Sequence, residues 1–282
     1  MKDYIQVSVY GSAIRTESWI KLYKNIVNNN KINIEVVFCG NVRPKFELPK
    51  NFKFIYSNVK PAQCSTIALH NTSSDLVSLI GDDCVYSKSY FDNLYEFYKK
   101  NKNYIVGGRF LRNKVFYKRE DYMLFKDIPD SPILPPSPLM SKKEMLSVGG
   151  VDQKFIALMW HEDLIMRLIT SKQKKTKILD NSIIKELTLS DFNILTRLVT
   201  KIKKKLMKNY ISPGPNLFQN YGKNFDLPYL LSCWIGSVDT VDKKNVLFQN
   251  SLKFISKTRL KKVVSYEFNT ILDKTQGPKG KW

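Results

Sequence analysis

Two adjacent carboxylates follow a short apolar segment in the first third of the chain. Asp82 and Asp83 come directly after Val77–Ile80 and a single glycine, Gly81. If that segment is a strand of an open α/β sheet, its carboxyl end is the edge where such sheets bind ligands. Two carboxylates there could hold a hard divalent cation, Mg²⁺ or Mn²⁺, which neutralises a departing diphosphate. They could equally form a turn through side-chain hydrogen bonds to the backbone.

A second acidic pair lies in the other half of the chain. Glu162 and Asp163 follow Trp160 and open the helical pattern Leu164–Thr170. A carboxylate at this place could act as the general base that takes a proton from an acceptor hydroxyl. Acids in a first helical turn also complement the helix dipole, and this simpler role stays open. Together, a metal–diphosphate pole and a base pole are what displacement at a sugar's anomeric carbon requires.

The segments that must position these residues alternate between strand and helix patterns. The strand candidates are nearly continuous in apolar residues, as expected when helices cover both faces of a mostly parallel sheet. The pattern predicts an α/β nucleotide-binding layer. The segments are Ile5–Tyr10, Glu17–Val27, Ile34–Cys39, Phe52–Tyr56, Pro61–His70, Leu76–Ile80 and Tyr90–Tyr98.

The rest of the chain divides at proline-rich and basic segments. Ile128–Pro138 holds five prolines and predicts a long surface loop, with a strand possible again at Leu139–Met140. Phe192–Tyr210 carries leucines at helical spacing among many lysines, which predicts an amphipathic basic helix. We expect a catalytic domain over 1–190, with a nucleotide half over about 1–110 and an acceptor half over 111–190, followed by a basic helical extension over 191–282.

Composition narrows the classes of protein. The 282 residues carry a formal net charge of +21, which favours anionic partners such as nucleotides, lipid headgroups or nucleic acid. The four cysteines form no C-x-x-C pair, and the chain has only two histidines. The sequence therefore lacks the residue patterns that are typical of a zinc ribbon, a disulfide scaffold or a histidine-activated nucleophile.

The order of these motifs resembles that of family 2 glycosyltransferases, over about residues 5 to 180. The most specific part is Val148–Phe155 followed by Glu162-Asp163-Leu164 and Arg167-Leu168. The resemblance implies a GT-A type, Rossmann-like fold and transfer of a sugar from a nucleoside-diphosphate sugar, usually with inversion, as in bacterial or viral surface-polysaccharide synthesis. A glycan or a lipid-linked molecule would be the acceptor.

The same resemblance implies roles for particular residues. Asp83, with Asp82, would hold the metal and the diphosphate, and Asp163 would be the general base beside Glu162. Gln63 and the backbone near Gly11 and Ser12 would contact the nucleotide. The family's acids after the second strand are replaced here by Gly40-Asn41, which puts selectivity for uracil in doubt.

Other functions remain as alternatives at this stage. The basic charge would also suit a nucleic-acid binding protein, but no nucleic-acid binding module is recognisable, and we expect no nucleic-acid partner. Gly81, where the family often has an acid, would suit an inactive GT-A-like scaffold subunit. We expect a cytoplasmic enzyme, with the basic segment either docked on anionic lipid at the inner face of the membrane or packed on the catalytic domain.

Overall fold

The structure, a computed structural model, describes residues 4–57, 59, 61–112, 114–122, 133–151 and 160–187. Within these ranges the chain forms one mixed sheet with helices on both faces. The strands are β1 (Val7–Ser12), β2 (Ile34–Gly40), β3 (Phe52–Tyr56), β4 (Leu76–Leu79), β5 (Cys84–Tyr86), β6 (Tyr104–Arg112), β7 (Val115–Phe116), β8 (Leu139–Ser141) and β9 (Lys175–Glu186). The helices are α1 (Thr16–Asn28), α2 (Pro61–His70), α3 (Tyr90–Lys100), α4 (Lys142–Ser147) and α5 (Trp160–Lys172). A short 3₁₀ helix covers Arg119–Tyr122.

The strand order is β3-β2-β1-β4-β8-β6-β9-β5, with β7 paired to β6. Strands β1 to β4 are parallel, and the pairings through β8 place β6 and β9 in the same direction. Strands β5, β7 and β8 run the other way. The predicted fold class, a mostly parallel sheet flanked by helices, is confirmed for this part of the chain. The boundary predicted after residue 190 and the basic extension lie outside the described residues.

Alternation along the buried strands builds two hydrophobic cores, one on each face of the sheet. In β2, Val36 and Phe38 face α1 and α3, whereas Val37 and Cys39 face α2, α4 and α5. Because every residue of β2 is buried, the strand is apolar except for Glu35. Trp19 of α1 anchors the first core, with its ring centroid 5.5 Å from that of Phe38.

The proline-rich segment differs from its prediction in the part that the structure describes. Pro135 and Pro138 are buried, and the Ser137 carbonyl accepts a hydrogen bond from Ser78 Oγ at 2.9 Å. Tyr90 Oη donates to the Pro136 carbonyl at 3.3 Å. Prolines cannot donate ladder hydrogen bonds, but the carbonyls of Pro136 and Ser137 accept bonds from side chains. Residues 133–138 are therefore packed into the domain and are not a surface loop.

A buried carboxylate joins three elements at the amino edge of the sheet. Glu35 on β2, with 3% of its side chain exposed, accepts a hydrogen bond from Ser8 Oγ at 2.6 Å and others from the backbone and hydroxyl of Ser73. Lys53 Nζ lies 2.9 Å from Glu35 Oε2. Burial acts to raise the pKa of Glu35, but the hydrogen bonds from Ser8, Lys53 and Ser73 outweigh burial and lower that pKa overall. The ionised form is therefore the stabilising one.

We predict that Glu35→Gln lowers the free energy of unfolding by about 1–3 kcal/mol, because the substitution weakens several charge-assisted hydrogen bonds to a buried group. A carboxylate whose pKa is lowered by folding stabilises above its unfolded pKa, and this stabilisation disappears as the pH falls through the folded pKa. The loss should therefore be larger at neutral pH than in acid. Urea unfolding at the two pH values measures it. Glu96→Gln, at an exposed pair with Lys99, is the control and should change little. Equal losses for the two variants would contradict the assignment.

Candidate functional site

The carboxyl ends of β1 and β4 form the centre of the candidate site. These two strands are neighbours, and the chain leaves β1 toward β2 and β3 on one side and later returns to β4 on the other. This reversal of strand order is the kind of position at which open α/β sheets bind ligands. Gly11 and Ser12 end β1, and Asp82 and Asp83 follow β4. The structure thus brings four of the sequence-predicted site residues to one edge.

Two glycines allow the loop after β1 to lie flat across this edge. A Cβ atom at Gly11 would overlap the carbonyl oxygen of Ile80, and one at Gly40 would overlap the carbonyl oxygen of Ala13. The Ile80 backbone N–H donates to the Tyr10 carbonyl at 2.9 Å, which keeps the two chain segments in contact. A side chain at Gly11 or Gly40 would therefore push the loop away from the strand ends.

Asp82 ties that loop to β4. Its Oδ2 accepts hydrogen bonds from the backbone N–H groups of Ile14 at 2.8 Å and Arg15 at 2.7 Å, and its Oδ1 accepts one from the Arg15 guanidinium. Ser18 Oγ donates to the Asp82 carbonyl at 2.6 Å. Asp82 thus satisfies backbone donors at the start of α1, where a negative charge also complements the helix dipole. With 2% of its side chain exposed, Asp82 offers little surface to a ligand.

Asp83 is the more open of the two carboxylates, with 29% of its side chain exposed. Its Oδ2 lies 3.3 Å from Arg15 Nη2, and its carbonyl accepts a hydrogen bond from the Leu187 N–H at 2.7 Å. Burial opposes the charge of Arg15, but the carboxylates of Asp82 and Asp83 outweigh burial and raise the pKa of Arg15. The guanidinium is therefore a permanent positive charge at the strand ends.

A further ion pair borders Asp83. Arg112 ends β6 and Glu186 ends β9, and Arg112 Nε lies 2.6 Å from Glu186 Oε2. In the sheet, Glu186 lies opposite Cys84 of β5, the residue after Asp83. Burial raises the pKa of Glu186 and the nearby Asp83 charge adds to this, while Arg112 and Arg15 oppose it. The edge therefore carries three carboxylates, those of Asp82, Asp83 and Glu186. Two guanidinium groups, those of Arg15 and Arg112, form ion pairs with them.

The charge pattern bears on the predicted divalent metal. Mg²⁺ and similar divalent cations such as Mn²⁺ are commonly bound by one or two carboxylates together with substrate phosphates. Asp83 fits this requirement as a partly exposed carboxylate, whereas the lone pairs of Asp82 already accept three hydrogen bonds. Among the residues that the structure describes, no group of three or more His, Cys, Asp or Glu side chains could hold a metal alone. A cation held by Asp83 would therefore need further oxygen ligands, from water or from a bound diphosphate.

The other predicted site residues lie on two helices that share one core. Gln63 is half-buried in the first turn of α2, and Glu162 and Asp163 lie in the first turn of α5, where the structure describes the backbone of Asp163. Trp160, the first residue of α5, packs in the same core as Tyr10 of β1. This core anchors the start of α5 on the sheet face below β1. The roles of Gln63, Glu162 and Asp163 stay predictions.

Arg167 in the middle of α5 ties this helix to the segment that follows α4. The Arg167 guanidinium donates to the carbonyls of Val148 and Gly150, and Gly149 and Gly150 both have positive φ. Burial lowers the pKa of His161 to about 4, so His161 is neutral at physiological pH. His161 therefore contributes no positive charge to the start of α5.

Sequence analysis missed Arg15, Arg112 and Glu186. Arg15 could have been noticed, since it lies three residues after the end of β1 and directly before α1. Arg112 and Glu186 meet only because β6 and β9 pair over more than 70 residues of chain, in a register that shifts between Gly108 and Arg109. No local pattern indicates such a pairing.

Comparisons with known proteins identify the fold. The crystal structure of S. aureus TarS residues 1–349 matches with a TM-score of 0.53 at 12% identity, over 96% of this chain and 90% of that one. The structure of the same TarS fragment in complex with UDP matches with a TM-score of 0.51 at 12% identity, over 96% and 91% of the two chains. The chain has a GT-A-like glycosyltransferase fold. No protein-family model matches the sequence, and no curated protein does.

Proposed function

We propose that this protein is a glycosyltransferase, similar to those of family 2, that uses a nucleoside-diphosphate sugar as its donor. The observation that carries the proposal is the charged edge at β1 and β4, where Arg15 lies against Asp82 and Asp83. The neighbour TarS is a glycosyltransferase, and its fragment was solved in complex with UDP. A diphosphate would suit both groups, because its oxygens can accept hydrogen bonds from the guanidinium and can share a metal ion with a carboxylate.

The donor would lie across the ends of β1 and β4. The backbone near Gly11 and Ser12, together with Gln63, would contact the nucleotide, and Asp83 would hold a divalent cation, Mn²⁺ or Mg²⁺, with the diphosphate oxygens. Such a cation neutralises charge that develops on the leaving diphosphate. Asp82 would hold the loop that carries Arg15, as its three accepted hydrogen bonds indicate.

The acceptor would approach from the side of α5. Asp163 would take the proton of an acceptor hydroxyl, the hydroxyl oxygen would bond to the anomeric carbon, and the bond from that carbon to the diphosphate oxygen would break. The nucleoside diphosphate leaves with the bonding electrons. Because the hydroxyl attacks opposite the leaving group, the configuration at the anomeric carbon would invert. A glycan or lipid-linked acceptor of a surface polysaccharide suits this chemistry.

The donor site predicts metal-dependent nucleotide binding. UDP with Mn²⁺ should raise the melting temperature of the full chain, because a ligand at about 100 times its Kd stabilises the native state by about 2.7 kcal/mol. Asp83→Asn should abolish the metal-dependent part of the shift without unfolding the protein. Asp180→Asn, at an exposed carboxylate, is the control and should keep it. Differential scanning fluorimetry with UDP, GDP and ADP, each with Mn²⁺ or with chelator, measures the effect. Stabilisation by none of the three, or an undiminished shift in Asp83→Asn, would sink the donor-site proposal.

The general base predicts a defect in chemistry without a defect in binding. The assay measures the UDP that forms when the protein cleaves its UDP-sugar, either by sugar transfer or by hydrolysis. Asp163→Asn should lower this rate about 10²–10⁴-fold, because general-base catalysis typically contributes this much. The Kd for UDP should stay near that of the parent. Glu162→Gln, one residue away on α5, should cost less. The reverse order of the two defects would make Glu162 the base.

We also propose that the basic segment 192–210, which lies outside the described residues, brings the enzyme to the cytoplasmic face of an anionic membrane. None of the described helices is long and apolar enough to cross a bilayer. A lysine or arginine near an anionic surface contributes about 1 kcal/mol of binding. The full chain should co-sediment with phosphatidylglycerol vesicles at low salt, and less so when Lys201, Lys203, Lys204 and Lys205 are replaced by Gln. If the parent stays in the supernatant, the segment instead packs against the protein.

A further inference from the structure

Arg15 contacts both carboxylates that follow β4. Its Nη1 donates to Asp82 Oδ1, and its Nη2 lies 3.3 Å from Asp83 Oδ2. The backbone N–H of the same residue donates to Asp82 Oδ2 at 2.7 Å. Arg15 is therefore held at its backbone and at its side chain by Asp82, and its bond to Asp83 is the longer and more exposed of the two.

The contacts with the two carboxylates leave much of the guanidinium available to a ligand. A guanidinium carries five N–H donors in a fixed plane, which match the oxygens of phosphate groups. Half of the Arg15 side chain is exposed, and it lies at the sheet edge where the donor diphosphate is proposed to bind. Asp82, with 2% exposure, anchors the arginine from the protein side. The arrangement is a pre-positioned anion-binding group.

The contact with Asp83 places Arg15 in competition with a divalent cation. A cation coordinated by Asp83 would lie within a few ångströms of the guanidinium, and two positive charges at that distance repel strongly. The repulsion is removed when a diphosphate lies between them, because its oxygens can accept from the arginine and coordinate the cation together. Metal and diphosphate should therefore bind with positive coupling at this edge.

We infer that Arg15 covers Asp83 in the donor-free protein and exchanges this partner for the donor diphosphate when a divalent cation binds Asp83. The inference deepens the proposed function and rests on it. Asp82 is then a positioning residue for Arg15, and Arg15 is a donor-binding residue. The inference gives Arg15→Gln two effects of opposite sign, which a purely structural role would not produce.

The first effect is on the metal alone. Arg15→Gln removes the cation that competes for Asp83, so the nucleotide-free variant should bind Mn²⁺ severalfold more tightly than the parent. Titration of the full chain, with free Mn²⁺ read by electron paramagnetic resonance, measures this affinity. Arg15→Lys keeps a positive charge and should stay near the parent. Lys99→Gln loses one charge at the far end of α3, and it controls for the net charge of the protein.

The second effect is on the nucleoside diphosphate. With Mn²⁺ present, Arg15→Gln should bind UDP, or whichever of GDP and ADP the parent prefers, about 10- to 100-fold more weakly, because charge-assisted hydrogen bonds are lost. The affinity of Arg15→Lys for the nucleotide should lie between those of the parent and Arg15→Gln, since lysine keeps the charge but lacks the planar fork of donors. Isothermal titration calorimetry measures the Kd. A cooperative melting transition without ligand would show that the variants fold.

The outcomes separate this inference from the proposed function. Parent-like nucleotide binding by Arg15→Gln would overturn the inference and leave the donor site intact. Unchanged Mn²⁺ affinity in Arg15→Gln would overturn the exchange of partners at Asp83. Failure of the parent chain to bind UDP, GDP or ADP would overturn the inference and the proposed function together.

Discussion

The buried carboxylate of Asp82 is the interaction on which the candidate site depends. It joins the end of β4 to the loop after β1 by accepting from two backbone N–H groups and one guanidinium. A buried charge is stable only when it is paired and hydrogen-bonded, and these three donors meet that requirement. Removal of Asp82 would leave the amides of Ile14 and Arg15 without their acceptor, and it would leave the Arg15 side chain with Asp83 alone. Asp82 therefore fixes where the permanent positive charge of the site lies.

The sheet topology explains why these groups meet although they are far apart in sequence. Asp82 and Arg15 are separated by 67 positions, and only the parallel pairing of β1 with β4 brings them together. Gly11 and Gly40 let the loop lie close enough to the strand ends for the contact. The same edge receives Arg112 and Glu186 from β6 and β9. Five charged side chains from three strand ends and one loop thus gather at one end of the sheet.

Sequence reasoning located most of the first half of the fold because its central strands, β1 and β2, are buried on both faces and its strands are rich in apolar residues. Phe52–Tyr56 and Pro61–His70 agree with their predicted bounds, and β2 extends one residue further than predicted, to Gly40. Strands β6 and β9 were not predicted. Their apolar residues are interrupted by Gly107, Gly108 and the polar run Asp180–Ser182, where the register shifts. Tertiary pairing, and not local pattern, makes them strands.

The residues of the site could likewise be predicted only where a local sequence pattern marks them. Asp82 and Asp83 could be found because a strand followed by acids is a local signal. Their different environments could not be foreseen, since the exposure of each depends on a loop 67 residues earlier. The packed carbonyls of Pro136 and Ser137 likewise depend on Tyr90 and Ser78, which lie on other elements. A sequence pattern predicts the type of group at the edge but not which group remains open to a ligand.

Hydrogen–deuterium exchange on the full chain tests the central claim most directly, which is that a nucleoside diphosphate binds at the ends of β1 and β4. Exchange of backbone amides would be followed by mass spectrometry with and without UDP and Mn²⁺. The account predicts slower exchange in peptides that cover residues 10–18 and 79–86, and no change in peptides that cover residues 93–103 at the opposite edge. Bound UDP that slows exchange only elsewhere in the chain would contradict it.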